Sequence, residues 1–241
     1  MASDPLIWLN LGNVLGKLQQ YVHAIGAYDK TIALGANEPL IWYNRGNALT
    51  KLGRYEEAVQ SYDRLLKIKP DDSEGWYGRG YALYELERYQ DALASYDRSL
   101  ELQPGKPDTW NNRGNVLEKL LDYSQAISSY EQGLSIQSNK YEAWDNRGYT
   151  LARLGRYQEA ISSLERLLQI KPDHANAYYN RAYCYGAMGN IKSALKNLQR
   201  AIELNSAYRE AAKTDPDLAR IREHQAFKQL VGEMPKLVGI S

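Results

Sequence analysis

Residues Ile41–Gly80 read IWYNRGNALTKLGRYEEAVQSYDRLLKIKPDDSEGWYGRG, and the tryptophan near the start of this stretch returns near its end, 34 residues later. Carried outward in both directions, the same step meets Trp8, Trp42, Trp76, Trp110, Trp144 and Tyr178 without insertion or deletion. With Pro5 as position 1 and Trp8 as position 4, other residues fall into phase. Position 20 is alanine six times: Ala24, Ala58, Ala92, Ala126, Ala160 and Ala194. Position 8 is Gly12, Gly46, Gly80, Gly114 and Gly148, then Ala182. Position 24 is Tyr28, Tyr62, Tyr96, Tyr130, Leu164 and Leu198, and prolines stand at position 32 in Pro70, Pro104 and Pro172.

At about 100° per residue, positions 4, 8 and 11 share one face of a first helix, and positions 20, 24 and 27 share one face of a second. Small residues at 8 and 20 let the two backbones approach closely, with Trp and Tyr filling the space beside them. Glycine inside a helix costs roughly 1 kcal/mol against alanine, so its return at position 8 points to close packing. Breaks fall at Leu52-Gly53-Arg54 and Leu154-Gly155-Arg156 within a copy, and at Lys69-Pro70-Asp71-Asp72 and Lys171-Pro172-Asp173 between copies. One such pair cannot bury its apolar face alone, so the copies must stack in a line.

These residues resemble the tetratricopeptide repeat family, whose pattern is W-x2-L-G-x2-Y, then A-x3-F, then P, over 34 residues. The second copy reads Trp42, Arg45, Gly46, Leu49, Ala58, Tyr62, Pro70. The resemblance implies an all-α, right-handed α-solenoid of six tandem helix-turn-helix repeats over residues 5–206, starting near 5, 39, 73, 107, 141 and 175. A C-terminal capping helical segment is expected over 207–235, where Asp215-Pro216-Asp217 breaks one amphipathic piece from the next. The N-R-G and Gly-Arg-Tyr segments are similar to bacterial, particularly cyanobacterial, arrays.

One departure from the family pattern is itself periodic. Its leucine at position 7 is kept as Leu11 and then replaced by Arg45, Arg79, Arg113, Arg147 and Arg181. Position 25 carries Asp29, Asp63, Asp97, Glu131 and Glu165, then Gln199. Acids occupy copies one to five and arginines copies two to six, so pairing across the five junctions leaves none unmatched. The alternative is that both stay solvated.

Function is expected on the opposite side of the first helix, at positions 2, 6, 9 and 13, which packing does not dictate. Position 6 is asparagine in five copies: Asn10, Asn44, Asn112, Asn146 and Asn180. An amide offers both a donor and an acceptor, matching an extended backbone; the resemblance implies that such asparagines clamp peptide backbone in a concave groove. Inter-repeat hydrogen bonding is the competing role. Tyr43, Tyr77, Tyr81, Tyr84, Tyr149, Tyr179 and Tyr183, at positions 5, 9 or 12, are expected either to contact a partner or to pack between first helices. At the stripe, Lys17, Lys51, Lys119 and Arg153 balance Glu74, Glu85, Asp108 and Glu142, which suits a mixed-charge segment. The family's carboxylate clamp is not matched, since its nearest window, Asn111, Asn115 and Asn146, ends in Asn176 and Asn180 instead of cations.

Composition narrows the rest. The 241 residues are 44% hydrophobic, enough to fold, and 30 Lys and Arg against 29 Asp and Glu give no basic field for nucleic acid. No apolar stretch long enough for a membrane span occurs. Cys184 stands alone, which suits a reduced, cytoplasmic compartment and excludes an internal disulfide. No nucleotide-binding, serine-hydrolase or zinc-protease motif is present, and His23, His174 and His224 are expected at the surface. No cofactor or metal is implied. The chain enters its first copy without an N-terminal cap, Ser3 or Asp4 serving as N-cap; Leu6, Ile7 and Leu9 are then exposed, pointing to self-association or to excision from a longer protein with Met1-Ala2-Ser3 appended. The reading is a non-enzymatic adaptor binding an extended or helical segment of another protein. A recognition module of a larger enzyme and a homo-oligomeric assembly factor are the alternatives.

Overall fold

The computed structural model describes residues 4–232, and its helices follow the 34-residue step. The successive pairs are α1 (Pro5–Lys17) and α2 (Tyr21–Ala33), α3 (Pro39–Lys51) and α4 (Tyr55–Ile68), and α5 (Ser73–Glu85) and α6 (Tyr89–Leu102). They continue as α7 (Pro107–Lys119) and α8 (Tyr123–Ile136), α9 (Tyr141–Arg153) and α10 (Tyr157–Ile170), and α11 (Ala175–Ala187) and α12 (Ile191–Leu204). First helices thus begin at position 1 and second helices at position 17. No strand occurs among the described residues. Packing contacts gather the chain into two compact units, Met1–Asp122 and Tyr123–Ser241, so the fourth copy contributes one helix to each.

Local chemistry places the helix ends. Proline opens α1, α3 and α7, where its missing N–H costs nothing. Asp4 accepts from the Leu6 amide at 2.9 Å and Asp72 from the Gly75 amide at 2.8 Å, each capping a helix. Between the helices of a pair, position 15 is left-handed in all six copies. Gly53, Gly155 and Gly189 take it at no steric cost, whereas Gln19, Glu87 and Leu121 hold φ near 60°. Between copies, the indole N–H of Trp76, Trp110 and Trp144 donates to the carbonyl of Pro70, Pro104 and Ser138 at 2.8–2.9 Å. The position-4 aromatic therefore latches the turn that precedes its own helix.

The core of the first unit joins Ala24, Tyr28, Ile41, Leu49, Ala58, Tyr62, Leu83 and Tyr96. In the second unit, Ala160, Ile161 and Leu151 form one cluster and Ala182, Ala194 and Leu198 another. All six position-20 alanines are fully buried.

Each position-7 arginine reaches back to the acid of the preceding copy: Arg45 to Asp29 at 2.8 Å, Arg79 to Asp63 at 2.7 Å, Arg113 to Asp97 at 2.6 Å, Arg147 to Glu131 at 2.7 Å and Arg181 to Glu165 at 3.0 Å. The expected pairing across copies is present, and its burial is lopsided. The arginine side chains are 15–22% exposed, the acids 43–51%. The guanidinium has more partners than charge pairing alone supplies. Arg45, Arg79 and Arg147 donate Nη1 to the hydroxyls of Ser61, Ser95 and Ser163, at position 23 of their own copies. Arg79, Arg113 and Arg147 also lie about 6 Å from the ring centres of Trp76, Trp110 and Trp144.

Beyond α12, the helix α13 (Ala207–Thr214), a 3-10 turn (Pro216–Leu218), α14 (Ala219–Arg222) and α15 (Gln225–Leu230) pack on α11 and α12, burying Ala212, Leu218, Ile221 and Phe227. Positions 233–235 of the expected cap lie outside the described residues. At the other end, Leu6 and Ile7 are exposed as expected, but Leu9 packs against the core of the first unit. The exposed apolar stripe runs instead through Ile7, Leu11 and Val14 of α1 and Leu18 at its C-cap, joined by Val22 of α2.

The lopsided burial fixes the expected energetics. Asp63→Asn removes a half-exposed partner and should cost about 0.5–1 kcal/mol. Arg79→Ala removes the ion pair, the bond to Ser95 and the Trp76 contact together and should cost about 2–3 kcal/mol. Urea denaturation of both variants checks this, and equal costs would contradict the clamp.

Candidate functional site

The face at positions 2, 6, 9 and 13 remains solvent-accessible along α1, α3, α5 and α7 in the first unit and along α9 in the second. Leu6, Asn10 and Lys17 are exposed on α1, Leu40 and Lys51 on α3, and Glu74, Tyr81 and Glu85 on α5. On α9, Glu142, Tyr149 and Arg153 are exposed. In the first unit a cavity of about 450 Å³ opens between α1 and α3, lined by Asn13, Lys17, Tyr28, Asn44, Asn47 and Lys51 among others. Neither ammonium has an ion-pair partner among the described residues.

The amides in this cavity are partly engaged. Asn44 donates Nδ2 to Asn13 Oδ1 at 2.8 Å, and that oxygen also accepts the Tyr28 hydroxyl at 3.2 Å. Tyr62 donates to Asn47 Oδ1 at 2.7 Å, and Asn112 donates Nδ2 to the Tyr77 hydroxyl at 3.1 Å. Asn44 and Asn112 thus tie neighbouring first helices together, so packing does bear on position 6. The expectation that it does not is corrected here: a shared oxygen with two donors fixes the amide's orientation. Asn44 is half-buried and lines the cavity with Asn13 and Asn47. Where position 6 is Gly78, a Cβ would stand 2.6 Å from the Tyr62 ring, so this copy has room for no amide. Asn146 lies half-buried on α9.

The tyrosines divide by neighbour. Tyr81 and Tyr149 are exposed. Tyr43 packs on the core of the first unit; Tyr77 meets Tyr96 with ring centres 5.9 Å apart, and Tyr84 meets Tyr89 at 5.7 Å. Tyr183 stands edge-on to Tyr157 at 5.7 Å. Tyr179 is only 8% exposed, stacks on Tyr208 at 4.7 Å and donates to Asp215 Oδ2 at 2.6 Å. Its hydroxyl pKa is raised, by burial first and then by that carboxylate. The C-terminal segment therefore lies over the sixth copy: Tyr208 donates to Asn176 Oδ1 at 3.3 Å, and Arg220 donates to the Ala187 carbonyl. Tyr179 leaves the accessible face under this non-periodic cover, and its place there is corrected; Asn180, whose Nδ2 is buried and unpartnered, and Tyr183 are half-buried.

His174 is a second correction. His23 and His224 are exposed, but His174 is half-buried, 3.9 Å from Asp145 Oδ2 and beside the Tyr141 ring. Desolvation raises the pKa of the buried Asp145 carboxyl, while His174 and the Asn176 amide pull it down. Cys184 is fully buried, and burial pushes its thiol up to about 12, which fits a packing residue and not a nucleophile. Among the described residues no cluster of His, Cys, Asp and Glu could hold a metal ion, and no helix is long and apolar enough to cross a membrane.

Comparison with known proteins follows the same lines. Sequence models described as TPR repeat match residues 46–87 and 80–120, and models described as tetratricopeptide repeat match 27–60, 107–140 and 139–207. No curated protein matches this sequence. Among solved structures, YrrB, described as a TPR protein with an unusual peptide-binding site, is 27% identical, with a TM-score of 0.67 over 75% of this chain and 93% of that one. MamA from Desulfovibrio magneticus RS-1 is 17% identical, with a TM-score of 0.67 over 70% of this chain and 96% of that one. The C-terminal part of a TPR repeat-containing protein from Cytophaga hutchinsonii is 18% identical, with a TM-score of 0.77 over 92% of each chain. The family matches together run from residue 27 to residue 207, and the chain belongs to the tetratricopeptide repeat family.

Proposed function

We propose that this chain is a non-enzymatic adaptor that holds an extended segment of another protein against the exposed face of its first helices. The observation that carries the reading is the cavity between α1 and α3, where Lys17 and Lys51 stand uncommitted beside oriented amides and the exposed Leu40. Fixed amides suit the alternating donors and acceptors of a peptide backbone, and the two ammoniums suit an acidic side chain or a chain terminus. Exposed Tyr81 extends the same face with an aromatic anchor. YrrB, a family member with a peptide-binding site, supports the same use of this fold. The single buried thiol suits a reducing, cytoplasmic setting.

A second reading rests on a different surface. The stripe Ile7, Leu11, Val14, Leu18 and Val22 is 42–64% exposed. Its composition is particular to the first copy: Leu11 stands where the later copies carry arginine, and Val22 where they carry Glu56, Gln90, Ser124, Gln158 and Lys192. Such a face is suited to association with a second copy of the chain.

Peptide display selection on the intact chain should enrich ligands whose affinity falls about tenfold in Lys17→Ala/Lys51→Ala and again in Asn44→Ala. Ligands that bind all these variants equally would remove the groove assignment. For the second reading, light scattering of the wild type should show mass rising with concentration, and Leu11→Arg/Val22→Glu should abolish the rise. A wild type that stays monomeric at its highest soluble concentration would end it.

A further inference from the structure

The sixth copy departs from its predecessors at four positions that come together in space. Position 11 is leucine in Leu15, Leu49, Leu83, Leu117 and Leu151 but becomes Tyr185; position 22 is Gly26, Gln60, Ala94, Ser128 and Ser162 but becomes Lys196. Position 23, alanine or serine before, becomes Asn197, and position 25, acidic five times, becomes Gln199. All four line one cavity of about 630 Å³ on the second unit, with Arg181, Arg200 and Tyr178. Its one lining acid is Glu203, which holds Gln199 and Arg200, whereas the corresponding cavity beside Arg45, of about 500 Å³, is lined by two acids, Asp29 and Asp63, with Arg45, Arg64 and Lys67.

The departure leaves hydrogen-bond donors unused. Arg45 commits Nε to Asp29 and Nη1 to Ser61, and Arg147 commits the same atoms to Glu131 and Ser163. Arg181 gives only Nη2 to Glu165, at 3.0 Å; its Nε is buried with no partner. Asn197 turns its Nδ2 away, to the Ser193 carbonyl at 2.8 Å. Lys196 has neither ion pair nor hydrogen bond among the described residues. Gln199 donates to Glu203, which also holds Arg200, so the acid of earlier copies, which would repel an anion here, is replaced by an amide. The Tyr185 ring lies 5.8 Å from the Arg181 guanidinium carbon, leaving an aromatic wall on the same cavity.

We propose that this cavity binds a phosphate monoester, with Arg181 and Lys196 on the phosphate oxygens and the Tyr178 and Tyr185 rings against the esterified group. A dianion with several acceptor oxygens matches two cations with spare donors, and the volume accommodates a small organic phosphate. The assignment concerns a different surface from the peptide groove and stands independently of it.

Titration of the 241-residue chain with phenyl phosphate, followed by amide chemical shifts, tests it. Two variants restore residues that copy five already carries at these positions, Lys196→Ser and Gln199→Glu, so both are compatible with the fold. Saturable shifts are expected at Tyr185, Lys196 and Gln199, with each variant weakening binding at least about fivefold and the pair about twentyfold. Inorganic phosphate should bind more weakly than phenyl phosphate, and acetate more weakly still. Absence of saturable shifts, equal affinity in the variants, or acetate binding as tightly as phenyl phosphate would each overturn the site.

Discussion

In the first, second, third and fifth pairs the two helices meet so closely at position 8 that one added carbon would not fit without a shift, while the sixth pair accommodates Ala182. A Cβ on Gly12, Gly46, Gly80 or Gly148 would lie 2.5–2.9 Å from Tyr28, Tyr62, Tyr96 or Leu164. Glycine's helical penalty of roughly 1 kcal/mol is the smaller cost, because the contact lets a buried tyrosine or leucine pack close to bare backbone while the alanine of position 20 is fully buried. The tyrosine hydroxyl is not stranded by this burial: Tyr62 reaches Asn47 at 2.7 Å and Tyr28 reaches Asn13 at 3.2 Å. Packing on one side of the first helix therefore orients amides on the other, and the fold and the candidate groove are linked through a single side chain.

A second constraint governs how copies join. The position-7 guanidinium binds an acid of the copy before it and, in copies two, three and five, a serine of its own copy. Charge and hydroxyl change together along the chain. The first copy has Leu11 with Ala27, and the sixth has Arg181 with Asn197 and Gln199. The first copy thus lacks the clamp and presents an apolar stripe, while in the sixth copy Arg181 keeps its acid, Glu165, but loses the serine, its Nε being left without a partner. Both of the less expected surfaces of this protein are where the periodic arrangement stops.

Most of the fold could be read from the 34-residue step, because helix boundaries, the small-residue contacts and the acid-to-arginine pairing all repeat with it. What escaped the reading does not repeat or leaves a weak trace. Position 15 is visible where glycine stands and hidden at Gln19, Glu87 and Leu121, which take the left-handed conformation under constraint from the flanking helices. Serine at position 23 tracks arginine at position 7, a signal present in the chain but easily passed over as a small buried residue. The exposure of Lys17, Lys51, Tyr81 and Tyr149 was legible from their positions opposite the packed face of the first helix. The burial of Tyr179 was not legible, since the segment that folds over α11 has no counterpart in earlier copies. Asn44 and Asn112 show why a residue type alone does not assign a role: the same amide that suits a peptide also ties two helices together.

The dependence of the whole arrangement on close approach at position 8 is open to one direct measurement. Gly26 and Gly46 are both helical glycines, but a Cβ at Gly26 meets nothing within 4 Å while one at Gly46 meets Tyr62 at 2.8 Å. Thermal and urea unfolding of Gly26→Ala and Gly46→Ala should show a gain of about 0.5–1 kcal/mol for the first and a loss of about 1 kcal/mol or more for the second. Equal stabilisation by both substitutions would mean that the contact at position 8 does not control the stack.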